Sequence, residues 1–358
     1  MRPRFFILVP RDTPHGPVKG AYALANALAS DREVTLVTLR AGPGAYARLA
    51  AGVRRICLQD VGAASLPAFV RAYRELLARA GSRATTASIS MCFSADIVNS
   101  FCSQEAATCA SVRGNLFTNY RLDYGWQGVA LAAAHMTVLR RVDRIVSMTA
   151  PMAAQVRRWA GRHPQVIGNF IDEPELEPLR APQRPNGPPR LVFVGSLSSR
   201  KRPALLLRAV RACKDRGGVA ALDILGTGPL EPELRRLAQE LDLQSDVRFH
   251  GFVPEPGRWV AQSDLFVLPS LSEGVSRAAM EALHLGVPCV LRDADGNGEL
   301  IEPGRNGSLF ATDDDLPSAV ETALEALRGV SWPRASLLPQ SMRQANSARA
   351  YAELMDAA

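Results

Sequence analysis

The sequence lacks any long apolar run. No stretch approaches the roughly 20 consecutive apolar residues that a membrane-spanning helix needs. The only apolar stretch near the start, residues 5–9, is flanked by arginines and is shorter than the core of a signal peptide. We therefore expect a cytoplasmic protein without a leader or a spanning helix.

Cysteine is sparse and forms no C-x-x-C pair. The six cysteines are Cys57, Cys92, Cys102, Cys109, Cys213 and Cys289. Most have apolar or small neighbours, and no histidine lies among the three between residues 92 and 109. Free thiols in a reducing compartment are therefore expected, rather than disulfides or a zinc site.

Aromatic residues are few and positive charge is unevenly spread. Aromatics make up 6% of the chain, its arginines are dispersed, and it has no nucleic-acid recognition motif, which excludes nucleic acid as an expected partner. Residues 1–170 hold 21 arginines and lysines against 9 acids, whereas residues 171–358 hold 21 against 26. The basic part indicates an anionic partner or a compositional drift towards arginine. Residues 68–83 resemble a basic amphipathic helix, which would allow peripheral contact with an anionic membrane.

The 358 residues suit two domains of similar construction. Each half opens with an apolar run, a loop rich in glycine or proline, a helical segment and a second apolar run, which is a β-loop-α-β unit. Two such series predict an α/β protein with two Rossmann-like, doubly wound domains that face each other across a cleft. The predicted divisions are a first domain at 1–172, a proline-rich linker at 173–190, a second domain at 191–340 and a terminal helix at 341–358. Six prolines exclude a packed helix or a central strand from the linker.

The most informative stretch is SDLFVLPSLSEGVSRAAMEALHLGVPCVL, residues 263–291. It predicts a buried strand at 264–269 and a helix at 277–285, so Glu273 lies between a strand end and a helix N-terminus, where phosphate binds well. Glu281 lies up to about 12 Å farther along at about 1.5 Å per residue, too far for the two to act as a paired acid and base. They are expected to hold two parts of one long ligand. A nucleotide sugar fits, with sugar hydroxyls on Glu273 and ribose hydroxyls on Glu281.

The segment SEGVSRAAMEAL resembles the E-x7-E motif of family 4 (group 1) retaining glycosyltransferases, which have the GT-B fold. Further similarity in VGSLSSRKRPALLLRA, ILGTGPLEPELRRLA, VRFHGFV and GNGELIEPGRNGSLF extends over most of residues 190–310. The resemblance implies that Glu273 binds the donor sugar, that Glu281 holds the ribose, and that Lys201 neutralises the leaving diphosphate. It makes Glu273 and Lys201 the expected catalytic residues. The other expected donor-binding residues are Gly195, Ser196, Arg200, Gly226, Phe252, Val253, Gly274, Val275, Ser276 and Arg277.

The sequence departs from the family pattern in two places. Ser196 stands where the family's loop has an arginine, and Arg200 or Arg202 is a candidate replacement for that cation. In the first domain, a histidine expected near the donor sugar is not evident, and SVRGNLFTNYRLDYG offers other polar residues instead. The expected acceptor and cleft residues are Gly16, Lys19, Arg113, Asn115 and Asn119.

The resemblance implies a retaining hexosyltransferase with an N-terminal acceptor domain and a C-terminal nucleotide-sugar domain. We expect a UDP- or GDP-linked donor and a saccharide or lipid-linked saccharide acceptor in surface polysaccharide or lipopolysaccharide assembly. No cofactor or metal is expected, and Asp293 and Asp295 are interpreted as turn residues. Two alternatives stay open: a non-hydrolysing nucleotide-sugar 2-epimerase and a catalytically inactive GT-B scaffold subunit.

Overall fold

The computed structural model describes residues 3–13, 16–42, 49–181, 183, 187–218, 221–329 and 334–357. The strands within these residues are β1 (Arg4–Arg11), β2 (Val34–Arg40), β3 (Val53–Cys57), β4 (Thr86–Met91), β5 (Ala107–Val112), β6 (Arg144–Ser147), β7 (Gln165–Val166), β8 (Arg190–Val194), β9 (Ala221–Leu225), β10 (Val247–Gly251), β11 (Leu265–Leu268), β12 (Cys289–Arg292) and β13 (Gly307–Phe310). The α-helices there are α1 (Gly16–Leu28), α2 (Leu66–Ala80), α3 (Phe93–Asn99), α4 (Leu116–Tyr124), α5 (Trp126–Leu139), α6 (Ala150–Ala160), α7 (Glu173–Leu176), α8 (Pro203–Asp215), α9 (Glu231–Glu240), α10 (Gly257–Ala261), α11 (Arg277–His284), α12 (Asn297–Leu300), α13 (Leu316–Ala326) and α14 (Gln344–Asp356).

The chain divides into two compact units. Unit 1 consists of Met1–Asp172 and Gln340–Ala358, and unit 2 consists of Glu173–Pro339. Each unit contains one parallel sheet flanked by helices, so the predicted α/β class with two Rossmann-like domains is confirmed. None of the helices in the described ranges combines the length and the apolar character that crossing a membrane requires.

Unit 1 has a seven-stranded sheet in the order β3-β2-β1-β4-β5-β6-β7. Its central strands read as continuous apolar or small-residue runs because helices cover both faces, and β4 is buried along its whole length. The strand order reverses between β1 and β4, where Arg4 pairs with Thr86. Ligands of open α/β sheets bind at the carboxyl ends of the strands on either side of such a switch point.

Helix α14 completes unit 1 rather than unit 2. Its Tyr351 is fully buried, and the tyrosine hydroxyl lies 2.7 Å from Ser111 Oγ on β5. Gln344 donates from its amide to the Ala23 carbonyl on α1 at 2.9 Å. The end of the chain is therefore part of the first unit's core.

Unit 2 has a six-stranded sheet in the order β10-β9-β8-β11-β12-β13. Strand β8 pairs with β9 on one side and with β11 on the other, where Leu265 lies opposite Leu191. The switch point of this unit therefore lies between the loops that follow β8 and β11.

Two local expectations are wrong. The loop rich in glycine or proline after the first apolar run was expected at residues 11–20, but helix α1 begins at Gly16, because proline is well tolerated in a first helical turn. The predicted linker starts with α7 and a 3₁₀ turn at Glu177–Leu179, and both belong to unit 2. Prolines near the start of such short helices remove no needed hydrogen bond. Positions 182 and 184–186 of that linker lie outside the described residues.

Candidate active site

The switch point of unit 2 joins two loops that are far apart in sequence. The first loop follows β8 and the second follows β11, and adjacent parallel strands bring their carboxyl ends together. The Leu271 amide donates to the Arg200 carbonyl at 2.9 Å, and Ser270 Oγ donates to the same oxygen at 3.3 Å. These bonds fix one loop against the other.

The same loops form a largely buried ion pair between the two predicted catalytic residues. Lys201 Nζ donates to Glu273 Oε1, and their side chains are 13% and 10% exposed. Arg200 lies 3.6 Å from the same carboxylate oxygen and donates to the Ser272 carbonyl at 2.9 Å. Two cations therefore lie around one carboxylate at the carboxyl edge of the sheet.

Glu273 is held in its ionised form. Burial raises the pKa of this carboxyl group, but the charge and hydrogen bond of Lys201, together with Ser270 and Arg200, outweigh burial and lower the pKa below its ordinary range. A carboxylate only accepts hydrogen bonds. Glu273 can therefore accept from hydroxyl groups of a ligand and cannot act as a proton donor near neutral pH.

Helix α11 presents its N-terminus beside this pair. Ser276 caps the helix, with its Oγ accepting from the Ala279 amide at 3.3 Å. Glu281 lies one turn inside α11 and faces Arg277, with 3.8 Å between Arg277 Nη2 and Glu281 Oε1. The Val275 side chain is buried, so only its backbone and that of Gly274 can approach a ligand.

Of the two arginines considered as replacements for the cation absent at Ser196, only Arg200 is beside Glu273. Arg202 adopts φ +51° before α8 and donates to Asp313 Oδ1 at 2.6 Å. Hydrogen bonds from Arg202 and Arg292 lower the pKa of Asp313, although burial opposes them. Ser196 itself is exposed, 3.2 Å from Ser198 Oγ.

The loops after β9 and β10 meet the loop after β8 at the same edge. The Gly195 amide donates to the Leu225 carbonyl at 3.0 Å, and the Gly226 amide donates to the Gly251 carbonyl at 2.7 Å. Gly226 has φ +137°, and a Cβ there would lie 1.9 Å from the Gly195 oxygen, so this position requires glycine. Phe252 follows at 58% exposure, with Val253 partly buried beside it. The exposed ring of Phe252 is therefore available to stack on a flat ring of a ligand, such as a nucleotide base.

The predicted residues of unit 1 are mostly occupied by structural contacts. Asn115 caps α4, with its Oδ1 accepting from the Thr118 amide at 3.1 Å, and Asn119 folds back against Gly114. Arg113 donates to Asn169 Oδ1, and burial lowers the pKa of its guanidinium group. Gly16 and Lys19 lie in the first turn of α1, after β1 at the switch point.

Sequence reasoning missed a buried polar chain at the other side of that switch point. His135 Nε2 lies 2.8 Å from Asp96 Oδ2, and His135 Nδ1 lies 3.0 Å from the Tyr120 hydroxyl. Ser90 Oγ donates to Asp96 Oδ1 at 2.6 Å. The sequence signal for this chain was Ser90 in a buried strand, followed six residues later by Asp96. The sequence does not indicate that His135 joins them, because only the folding of unit 1 brings it to Asp96.

Two other sequence interpretations can be compared with the structure. Asp295 adopts φ +47° and accepts from Ser272 Oγ, which makes it a turn residue that supports the Glu273 loop. The ranges that the structure describes contain no cluster of three or more potential metal-ligating side chains.

On α2, the apolar stripe Phe69, Tyr73 and Leu77 packs inside unit 1, so it is not available to a membrane.

The fold, with two Rossmann-like domains, resembles the GT-B fold seen in solved structures of glycosyltransferases. Sucrose-phosphate synthase from Thermosynechococcus elongatus aligns with a TM-score of 0.74 at 18% identity, covering 98% of this chain and 94% of that one. Anabaena Alr3699/HepE, solved with UDP and glucose, aligns with a TM-score of 0.68 at 17% identity, covering 99% and 95%. At these identities the likeness concerns the fold alone.

The sequence of unit 2 adds a family match. Residues 188–328 match the family model described as glycosyl transferases group 1. Among curated proteins, the amylovoran biosynthesis glycosyltransferase AmsK of Erwinia amylovora is 34% identical over 150 residues, which cover 40% of this chain and 37% of that protein. The chain spans little more than a third of the length of the first curated relatives that it matches.

Proposed function

We propose that this protein is a retaining glycosyltransferase that moves a hexose from a UDP- or GDP-linked donor to a saccharide or lipid-linked saccharide. The observation that carries the proposal is the Lys201–Glu273 pair with Arg200 at the switch point of unit 2, next to the capped start of α11. The matched region of residues 188–328 contains all three residues. The biosynthetic role of AmsK supports surface polysaccharide assembly as the setting.

Each residue has a role that follows from its surroundings. The ionised Glu273 accepts hydrogen bonds from the donor sugar's hydroxyls, and Lys201 and Arg200 neutralise the diphosphate as the glycosidic bond breaks. The start of α11 binds phosphate oxygen, and Glu281 accepts from the ribose hydroxyls. Phe252 contacts the base. Positioning and charge stabilisation supply the catalysis without a side-chain nucleophile, a cofactor or a metal.

The cellular setting is part of the same proposal. All six cysteines are free thiols, four of them buried, which suits a reducing cytoplasm. The basic surplus of residues 1–170 is compatible with peripheral contact at the inner face of an anionic membrane. Flotation with anionic and neutral liposomes tests this contact, and equal recovery with both contradicts it.

Donor binding is the first test. Melting curves with UDP, GDP, ADP and their sugars should show a selective rise in Tm, which Glu281→Gln reduces and Lys201→Ala abolishes. Product analysis then separates the chemistry: transfer forms a glycoside with the anomeric configuration of the donor, whereas a 2-epimerase releases a changed sugar nucleotide without any acceptor. Selective donor binding without turnover would instead favour an inactive scaffold.

A further inference from the structure

Exposed apolar side chains concentrate at one point of unit 1, the turn between α4 and α5. Leu122, Tyr124 and Trp126 are 41%, 59% and 83% exposed, so three of the ten large hydrophobic side chains exposed in the described part of the chain lie within five residues. Gly125 joins the two helices with φ +61°. Exposed large apolar side chains that cluster in this way mark interaction sites.

The base of this α4–α5 hairpin is rigidly held. The chain Asp96–His135–Tyr120 links α3, α5 and α4, and Asp96 and His135 are 1% and 2% exposed. Burial raises the pKa of Tyr120, which therefore keeps its proton for hydrogen bonding. A Cβ on Gly128 would lie 1.9 Å from the Tyr120 carbonyl oxygen, so the two helices approach closely. The rings at the tip are thus presented by a fixed support, which lowers the entropy cost of binding.

The base of the hairpin lies near the ligand edge of the sheet. Asp96 lies in the first turn of α3, directly after β4 ends, so its partner His135 lies near the carboxyl edge. Helix α5 is followed by β6, and His135 lies near the C-terminal end of this helix. Trp126 is the first residue of α5, nine residues before His135. At about 1.5 Å per residue, Trp126 lies roughly 13 Å from His135 along the axis of α5, so the tip is within reach of a ligand bound at the edge where open α/β sheets bind ligands.

The groups around the rings suit a neutral, hydroxyl-rich ligand. Arg121, Asp123 and Gln127 are exposed beside Tyr124 and Trp126, and the segment 121–127 has no net charge. A sugar ring has an apolar C–H face that stacks on an aromatic ring and a rim of hydroxyls that bond to carboxylate, amide and guanidinium groups. An anionic membrane surface attracts a surplus of lysine and arginine, which this segment does not have.

We infer that the α4–α5 tip is a saccharide-binding subsite in which Tyr124 and Trp126 stack on the acceptor's sugar rings. This inference rests on the proposed glycosyl transfer for its biological meaning, although saccharide binding can be measured without it. The ligand class is a neutral oligosaccharide, free or as the headgroup of a lipid-linked acceptor. The hydroxyl rim of that ligand is held by Arg121 and Asp123.

Indole NMR of the whole protein tests the subsite. The chain has four tryptophans, so ¹⁵N-labelled indole signals are few and can be assigned with Trp126→Ala and Trp159→Ala. Trp159 is the matched control because it is 47% exposed on α6 and packs against the Phe117 ring at 4.8 Å. The probes are maltohexaose, mannohexaose and β-1,4-galactohexaose, with vesicles of phosphatidylcholine and phosphatidylglycerol as the membrane arm.

At least one oligosaccharide should shift the Trp126 signal saturably. Trp126→Ala should raise the Kd for that saccharide at least tenfold, and Trp159→Ala should leave it unchanged. The inference is overturned if no oligosaccharide shifts the Trp126 signal, if Trp126→Ala binds as well as the wild type, or if only the vesicles shift the signal. UDP binding measured on the same samples reports separately on the proposed function, because Trp126→Ala should not change it.

Discussion

Replacing Lys201 with alanine should reverse the pH dependence that Glu273 gives to the stability of unit 2. In the wild type the pKa of Glu273 lies below its ordinary value of 4.5. The contribution of Glu273 to the stability of unit 2 is therefore fully present above pH 4.5 and is lost as the pH falls through the folded-state pKa. Without Lys201, burial is opposed only by Arg200 and Ser270, and the pKa should rise above 4.5. The variant should then lose stability as pH increases from about 4 to 7.

The size of the effect follows from the burial of the pair. Removing one partner of a buried ion pair costs about 3–5 kcal/mol, which is an upper limit here because Arg200 stays 3.6 Å from the carboxylate. For a unit of this size the loss corresponds to a fall in Tm of roughly 6–20 °C at pH 7. The neutral pair Lys201→Met with Glu273→Gln should recover most of it, because no buried charge is then left alone.

Melting followed by circular dichroism at pH 4 and pH 7 measures this difference. Lys214→Ala is the control, since Lys214 pairs with Asp246 at 2.9 Å but is 38% exposed and should cost less than about 1 kcal/mol. The reasoning is refuted if Lys201→Ala lowers Tm equally at both pH values, or if the neutral double variant is no more stable than Lys201→Ala.

Three further predictions concern neighbouring parts of the site. Glu281→Gln should weaken the binding of UDP or GDP about tenfold, which is about 1.4 kcal/mol. The control Glu240→Gln, on an exposed helix surface, should leave the affinity unchanged. Equal affinities of Glu281→Gln and the wild type by calorimetry would contradict a ribose contact. Gly226→Ala should lower the free energy of unfolding, measured in urea, more than Gly217→Ala does. A Cβ at Gly226 would lie 1.9 Å from a carbonyl oxygen. A Cβ at Gly217 would meet open space, so alanine there costs only the left-handed backbone strain of about 1–2 kcal/mol. Similar losses would disprove the steric argument. Asp293→Ala and EDTA should leave transfer rates unchanged, and inhibition by EDTA that Mg²⁺ reverses would show a metal requirement.

Local patterns in unit 2 could be predicted well from the sequence. The strand before Glu273 and the helix carrying Glu281 follow from short-range propensities, and the structure has β11 and α11 where they were expected. The contact between Lys201 and Glu273 is different, because 72 residues separate them. Only the pairing of β8 with β11 brings their loops together, and no local pattern encodes which strands become neighbours.

Unit 1 was harder to predict because its important groups are dispersed. His135 lies on a helix 39 residues from Asp96, and its neighbours are mostly alanine and other apolar residues, so the sequence around it indicates only a core helix. The start of α1 was also misplaced, since Gly16 and Pro17 are typical both of loops and of a first helical turn. Tertiary packing decides between these alternatives, and propensity alone does not.

The charged side chains at the two switch points differ from what the net charge of each half of the chain would suggest. In the described part of unit 2, Arg200 and Lys201 share one carboxylate, that of Glu273, and Arg202 and Arg292 share that of Asp313. At the switch point of unit 1, the carboxylates Asp12 and Asp96 each have a basic partner, Arg55 and His135.

This local balance locates an anion site better than the net charge of each half. Residues 1–170 carry the positive surplus and residues 171–358 are mildly acidic, yet the two cations that share the Glu273 carboxylate beside a helix N-terminus are in the acidic half. Many of the arginines in the first half lie on its surface, where salt screens their charge. A diphosphate is stabilised by nearby, partly buried cations and oriented amides. Under the proposed function we therefore assign the donor's phosphates to Arg200 and Lys201, and we assign the hydroxyl groups and ring faces of a saccharide to the α4–α5 tip of unit 1.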